Sequence, residues 1–372
     1  MSSDFLKHCY ERASRLASKQ VLVGLDGFVD RIVAAVDKRS GPGEQFEAIK
    51  TLKDLGERIT SAAGQSTNVE LFLKREKIGG NGPIFAHALL KSNIHIKALG
   101  AFGEGAVHPL FEDFARKTEA VSLCDPGLTH AIECDDGKLM LGMMSHFERI
   151  TYEHILKVMG EGSLIDAISR ADLIAFLNWT MVPHGTSILA SLVDKVLPNL
   201  GPRDRRVFLF DPADPEKRSD ADFLAYLKQL TRFHAFGRVV LSVNLKEAGA
   251  VARVLGLRAM DGSKEALLQG VTEIRRAIDI ECMVIHTARG AVCASRSDAY
   301  WVPVAYCDAP LISTGGGDHF NAGFALGELL ELPPQECLEL AVAYAGFYIR
   351  KGKSPALSDI EAFLASEFSL EF

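Results

Sequence analysis

Short apolar runs, most of them closed by glycine or a polar residue, recur along this chain, and segments of helical period separate most of them. The runs are 21–25, 94–100, 173–177, 207–210, 239–243, 283–286 and 291–294. Residues 154–170, 186–197, 221–234, 246–255 and 264–278 read as helices between them, with two more at 334–351 and 358–367. A run apolar at every position predicts a strand buried on both faces. Strands of that kind joined by helices predict βαβ crossovers and a mainly parallel sheet. The fold class is therefore α/β, a three-layer α/β/α sandwich. Residues 4–18 read as an amphipathic helix, 32–36 as a further strand and 46–59 as a helix. Residues 129–144 read as a hairpin about Asp135-Asp136-Gly137. No linker or repeat divides the chain. Residues 1–372 are one domain, with 31–77 and 129–144 as a small appendage.

Composition narrows the function. The 372 residues carry 41 basic and 48 acidic side chains, a net charge of −7, with no basic tract. That argues against nucleic acid and anionic membranes as partners. Seven cysteines, an odd number without a CxxC or Cys/His cluster, indicate neither a disulfide framework nor a zinc site. A reducing cytoplasm is the expected location. The first eight residues lack an apolar signal core, and no run reaches the ~18 apolar residues of a spanning helix.

The chemistry gathers at Ser313-Thr314-Gly315-Gly316-Gly317-Asp318-His319-Phe320-Asn321-Ala322-Gly323. Three consecutive glycines weaken any element interior, so packing does not explain them. From His319 onward Phe320, Phe324, Leu326 and Leu330 recur with a helical period. A glycine turn opening a helix gathers free N–H groups at a positive dipole end, an anion site made of backbone. Asp318 at its mouth reads either as a base beside a phosphate or as an ordinary N-cap. Polar residues also close the apolar runs: Asp26 and Asp30, Asn178, Asp211, Asn244 and Thr287. Ligands of parallel sheets bind beyond such strand ends. Asn244 and Glu247 stand one helical turn apart, either to hold a hydrated Mg²⁺ or to form a capping box.

Four blocks, in order, carry a family resemblance. Gly79-Gly80-Asn81-Gly82-Pro83 is similar to an N-terminal "GG" signature, and 207–212 to a strand ending in Asp-Pro. Asn244-x-x-Glu247 resembles an NxxE motif, and Thr314-Gly315-Gly316-Gly317-Asp318-x-Phe320-Asn321-x-Gly323 a "TGAGDxFNxG" signature. The chain resembles the ribokinase-like (PfkB) carbohydrate and nucleoside kinases over nearly its whole length.

That resemblance implies transfer of the γ-phosphoryl of ATP to a hydroxyl of a sugar or nucleoside. Asp318 would be the base and the N–H groups of Gly315, Gly316, Gly317 and Asp318 the anion hole. Glu247 and Asn244 would order Mg²⁺ through water, and a monovalent cation and a homodimer are compatible with it. Thr287, Arg289 and Gly290 loosely match a nucleotide-side loop. Asp30, with Asp26 competing for the role, would bind sugar hydroxyls beside Gly80, Asn81 and Asn178. The segments 31–77 and 129–144 would form a small β lid. Ile84 stands where many members carry Asn, implying an acceptor with an apolar portion, and Ile312 where the signature usually has Asp. ADP as donor, suggested by a faint HxE-like His146-Phe147-Glu148, and a non-catalytic binder are the alternatives. An NAD-dependent oxidoreductase is disfavoured, because Gly24-Leu25-Asp26-Gly27 lacks the G-x-G-x-x-G turn.

Overall fold

The computed structural model describes residues 4–367 apart from 201, 202, 204 and 313, so Ser313 of the glycine stretch lies outside the described residues. In chain order the strands are β1 (Gln20–Gly24), β2 (Phe28–Arg39), β3 (Phe46–Ala48), β4 (Glu70–Gly79), β5 (His95–Ala101), β6 (Val121–Cys124) and β7 (Gly127–Cys134). They continue as β8 (Gly137–Met143), β9 (Leu173–Leu177), β10 (Val207–Asp211), β11 (Arg238–Asn244), β12 (Cys282–His286), β13 (Gly290–Ala294) and β14 (Ala299–Pro303).

Nine of them form the central sheet, ordered β14-β13-β12-β11-β10-β9-β1-β5-β6. The pairings from β12 through β6 are parallel, and β13 and β14 run antiparallel at one edge. Successive residues explain the unbroken apolar runs. Val21 and Val23 of β1 enter one core, with helices Gly316–Leu329 and Pro334–Lys351, while Leu22 enters the other. Val207 and Leu209 alternate in the same way with Phe208 and Phe210. Interior strands such as these are buried on both faces, so most of their polar residues stand at the ends, Ser242 within β11 being an exception.

The second sheet holds the segments expected to form a lid. Its order is β3-β2-β7-β8, with β4 on the other side of β2 along residues 28–36. Helix Leu52–Ser61 covers it over a small core of Val33, Ala35, Ile49, Leu55 and Ile132. The lid thus starts at Phe28 and runs to Gly79, then from Gly127 to Met143, slightly wider than the sequence suggests.

Two local readings need correction, and β14 is a strand the sequence did not suggest. Residues 46–59 are not one helix. Phe46–Ala48 pairs with β2 and packs Phe46 at a tilt against Phe72 at 5.0 Å, and the helix begins only after Thr51, whose side chain accepts the Asp54 N–H. The 154–170 helix is broken at Gly160, which has φ 82°. The edge strand β14 alternates poorly in burial and gives no apolar run to read.

Candidate active site

Sheet order turns isolated strand ends into a row. Because β12, β11, β10, β9 and β1 are consecutive neighbours, His286, Asn244, Asp211, Asn178 and Asp26 follow one another along the same edge. The first four line a cavity of about 370 Å³. Asp30, Gly80, Asn81, Gly315, Gly317, Asp318 and Glu247 join them, so most of the residues singled out by sequence meet in one place.

The glycine stretch enters from the opposite side. Gly315 is the N-cap of helix Gly316–Leu329, at φ 94°. A Cβ there would stand 3.0 Å from the Tyr348 hydroxyl and 3.3 Å from Ile84, in a conformation side chains resist. The N–H groups of Gly316, Gly317 and Asp318 precede the first intrahelical bond, from His319 N–H to the Gly315 carbonyl at 3.1 Å. Gly315, Gly317 and Asp318 line the cavity, and free N–H groups at a helix start carry the positive end of its dipole. Asp318 does not cap its own helix. Its Oδ1 accepts the Asn81 amide at 2.8 Å, from the helix that follows the "GG" signature.

Burial dominates the electrostatics. Asp318 is 6% exposed and its carboxyl is held well above the ordinary range, first by burial and then by the charges of Asp211 and Asp26, with the Asn81 amide opposing. Burial likewise raises Asp211, and the Glu247 charge adds to it. Asp211 is tied to the Ala213 N–H at 2.9 Å and the Asn321 amide at 2.7 Å. His286 packs tilted against Phe320 at 4.7 Å, its pKa pushed down to about 4 by burial, so its ring is neutral.

Asp26 and Asp30 differ in what surrounds them. Asp26 is 1% exposed, and its oxygens accept the N–H groups of Asn81 and Gly82 and the Asn178 amide, each at 2.8 Å. Its pKa is pushed up to about 6 by burial, against those three bonds. It therefore braces the helix that carries Asn81. Asp30 opens onto the cavity. Burial raises its carboxyl, while Lys77, the Thr129 hydroxyl and Lys138 oppose. Gly79 packs directly against it, since a Cβ there would fall 2.4 Å from the carboxyl carbon. Asn178, in a left-handed conformation at φ 58°, leaves its buried Oδ1 without a partner at the cavity edge.

Asn244 and Glu247 do form the capping box. Asn244 Oδ1 accepts the Glu247 N–H at 3.0 Å, and Glu247 Oε2 accepts the Asn244 N–H at 2.8 Å. Glu247 Oε1 takes the Asp214 N–H at 2.9 Å. Its carboxylate is nonetheless on the cavity wall near Asp211, and burial raises its pKa. Thr287, Arg289 and Gly290 lie outside the cavity. The Thr287 hydroxyl closes the β12–β13 turn through Gly290 and Arg289, while the Arg289 guanidinium sits 5.5 Å from the Tyr306 ring. His146 and Glu148 are exposed and away from the cavity.

Sequence reading missed four contributors. Lys217 lines the cavity and binds Asp214 at 2.9 Å. Lys138, on the lid strand β8, reaches the Thr314 hydroxyl at 3.2 Å. Tyr348 donates to the Thr314 carbonyl at 3.1 Å, and His319 stacks on Tyr348 while its Nδ1 meets the Gly315 carbonyl at 2.8 Å. Only His319 carried a signal, being a titratable residue inside the glycine motif. The apolar side of the cavity is Phe28, Ile84, Met140, Met144 and Met181.

Comparison with known proteins agrees with this architecture. A family model described as prokaryotic ketohexokinase matches residues 2–367. A ketohexokinase of Haloferax volcanii is 28% identical over 354 residues, 94% of this chain and 92% of that protein. Among solved structures, a ribokinase from Thermotoga maritima superposes with a TM-score of 0.62 at 16% identity, over 93% of this chain and 99% of that one. The Arabidopsis thaliana ribokinase complexed with ribose and ATP gives 0.63 at 15% identity, over 93% and 98%.

Proposed function

This chain belongs to the prokaryotic ketohexokinase family and is a carbohydrate kinase; from that premise we propose that it transfers the γ-phosphoryl of ATP to a hydroxyl of a ketohexose. The observation that carries the reading is Asp318, a buried carboxylate of raised proton affinity beside the free N–H groups of Gly316 and Gly317. A base and an anion site share one cavity, with Asp30 and the Asn178 Oδ1 available to sugar hydroxyls.

In the step, Asp318 takes the proton of the acceptor hydroxyl while that oxygen forms its bond to the γ-phosphorus. The bond from that phosphorus to the β–γ bridging oxygen breaks, and ADP leaves. The backbone N–H groups at the glycine stretch balance charge on the transferring group. Asn81 fixes the carboxylate toward the acceptor. Phe28, Ile84 and the methionines exclude water and pack on the carbon skeleton, as the apolar Ile84 suggests. Thr287, Arg289 and Gly290, one turn beyond His286, are assigned to the nucleotide side.

Mg²⁺ suits the wall of Glu247, Asn244 and Asp211. Mutually repelling buried carboxylates whose oxygens are engaged by the backbone favour an ion held through its own waters. It would screen the phosphate charges when bound. A monovalent cation fits less well, because the approach to the glycine stretch presents apolar Ile312.

The test is ADP release with Mg-ATP and a panel of D-fructose, D-glucose, D-ribose and adenosine, with the product identified by ³¹P NMR. A ketohexose phosphate as the preferred product is expected. Preference for an aldose or nucleoside would overturn the acceptor assignment, and turnover with ADP but not ATP would overturn the donor.

A further inference from the structure

Behind the cavity just described, on the other side of Ile84, lies a second one of about 540 Å³. Its walls come from the lid and from the body. Arg75 and Lys77 of β4 line it together with His87, Lys91 and Lys353, all but Lys77 exposed. Arg75, Lys91 and Lys353 make no ion pair among the described residues, in a chain whose net charge is −7. Asp359, the acid on this wall, already accepts the Ala356 N–H at 2.8 Å. Converging cations repel one another, and a counter-charge between them removes that repulsion. Lys77 has its pKa lowered chiefly by burial, with Lys138 and Arg75 adding to it against Asp30.

The floor is polar and connected to the glycine stretch, with Ser354 and His319 buried and His87 exposed. His87 Nδ1 meets the Ser354 hydroxyl at 3.2 Å, and that hydroxyl meets His319 Nε2 at 2.9 Å. His319 Nδ1 then donates to the Gly315 carbonyl at 2.8 Å. Burial pushes the His319 pKa down to about 4, so the ring is neutral and each nitrogen has one role. Ile78, Pro83 and Phe114 supply an apolar side, and the volume exceeds what a bare oxyanion fills.

We propose that this second cavity is a binding site for a small phosphate monoester, held between Arg75 of the lid and Lys353 of the body, separate from the site of phosphoryl transfer. Guanidinium and ammonium groups from two elements suit the three terminal oxygens of a phosphate. The apolar wall suits the carbon skeleton of an ester. This site does not depend on the identity of the sugar acceptor.

Isothermal titration calorimetry with glycerol 3-phosphate, inorganic phosphate and glycerol tests it, on the wild type and on R75Q/K353Q. Neither residue belongs to the machinery of the reaction, so the double variant should keep its unfolding midpoint and its turnover in phosphate-free buffer. Glycerol 3-phosphate should lose one binding site, or at least tenfold in affinity, in the variant, while glycerol should bind neither protein. Weaker binding of inorganic phosphate than of the ester would support the apolar wall as part of the site. The same affinity and stoichiometry in both proteins would mean that the anion binds elsewhere, and would overturn the proposal. Absence of any binding by the wild type would do the same.

Discussion

Gly315→Ala isolates the backbone geometry on which the proposed anion site depends. At φ 94° an alanine is strained, and its Cβ would stand 3.0 Å from the Tyr348 hydroxyl and 3.3 Å from Ile84 Cγ2. Backbone strain of this kind costs about 1–3 kcal/mol. Displacing Tyr348 also loses its bond to the Thr314 carbonyl, about 0.5–1.5 kcal/mol net. The sum is a destabilisation of about 1.5–4.5 kcal/mol. The loop that shifts carries the N–H groups of the first turn, so turnover should fall by about 10²-fold, as for other displacements of about 1 Å. Urea denaturation and steady-state kinetics measure the two effects. Tyr348→Phe removes the crowded oxygen, so the double variant should lose less stability than the sum of the singles. Strict additivity would show that the tyrosine does not confine Gly315. Wild-type stability and turnover in Gly315→Ala would refute the reasoning as a whole.

Asp318→Asn should keep the fold and lose at least the ~10²-fold in turnover expected for a general base; near-normal turnover with unchanged nucleotide binding would sink that role. Glu247→Gln should raise the Mg²⁺ concentration needed for half-maximal activity more than it raises the sugar KM, and a superimposable Mg²⁺ titration would reduce Glu247 to its capping box. Asp30→Ala should raise the sugar KM with little effect on the ATP KM, by the ~1–3 kcal/mol of each donor left unpaired; a KM effect confined to Asp26→Ala would reverse the assignment. His319, with its pKa pushed down to about 4, binds a proton later than it would in the unfolded chain, where it titrates near its ordinary 6.5. Its contribution to stability is therefore complete above about 6.5 and declines as the pH falls toward 4. His319→Gln should lose stability less steeply than the wild type between pH 6.5 and 5 in urea midpoints, and parallel curves would contradict a neutral buried imidazole.

What the sequence made legible was what is local. The runs at 173–177 and 207–210 are strands because each successive residue enters an opposite core, and that demand is written into the apolar run itself. The Gly315–Asp318 stretch was equally readable, since a helix N-terminus and a positive φ need only neighbouring residues. Asn244 and Glu247 supported two readings because they meet both descriptions: the capping box is closed, and the same carboxylate stands on the cavity wall. Asp26 and Asp30 could not be separated by spacing. The Gly82 N–H that occupies Asp26 comes from 56 residues away. The Lys138 contact to Thr314 spans 176 residues and depends on the lid sheet folding back over the body, which no local pattern encodes.

The choice of partners for the buried acids bears on how such a site can work at all. Asp26, Asp211 and Asp318 are each approached by an asparagine amide, from Asn178, Asn321 and Asn81 respectively. No lysine or arginine makes an ion pair with any of the three among the described residues. A guanidinium in those positions would hold the carboxyl as an anion far below its ordinary range and leave it a poor base. A neutral amide fixes the carboxylate's direction, satisfies one oxygen and leaves burial to raise its proton affinity, as it does for all three. The cost is a group of acids that repel one another, with Glu247 adding to the charge felt by Asp211 and Asp318. Such a group is best relieved when cationic charge arrives with the phosphate donor. On the proposed assignment of Asp318 as base, neutral amides in place of cations leave the site to favour a donor that brings its own metal.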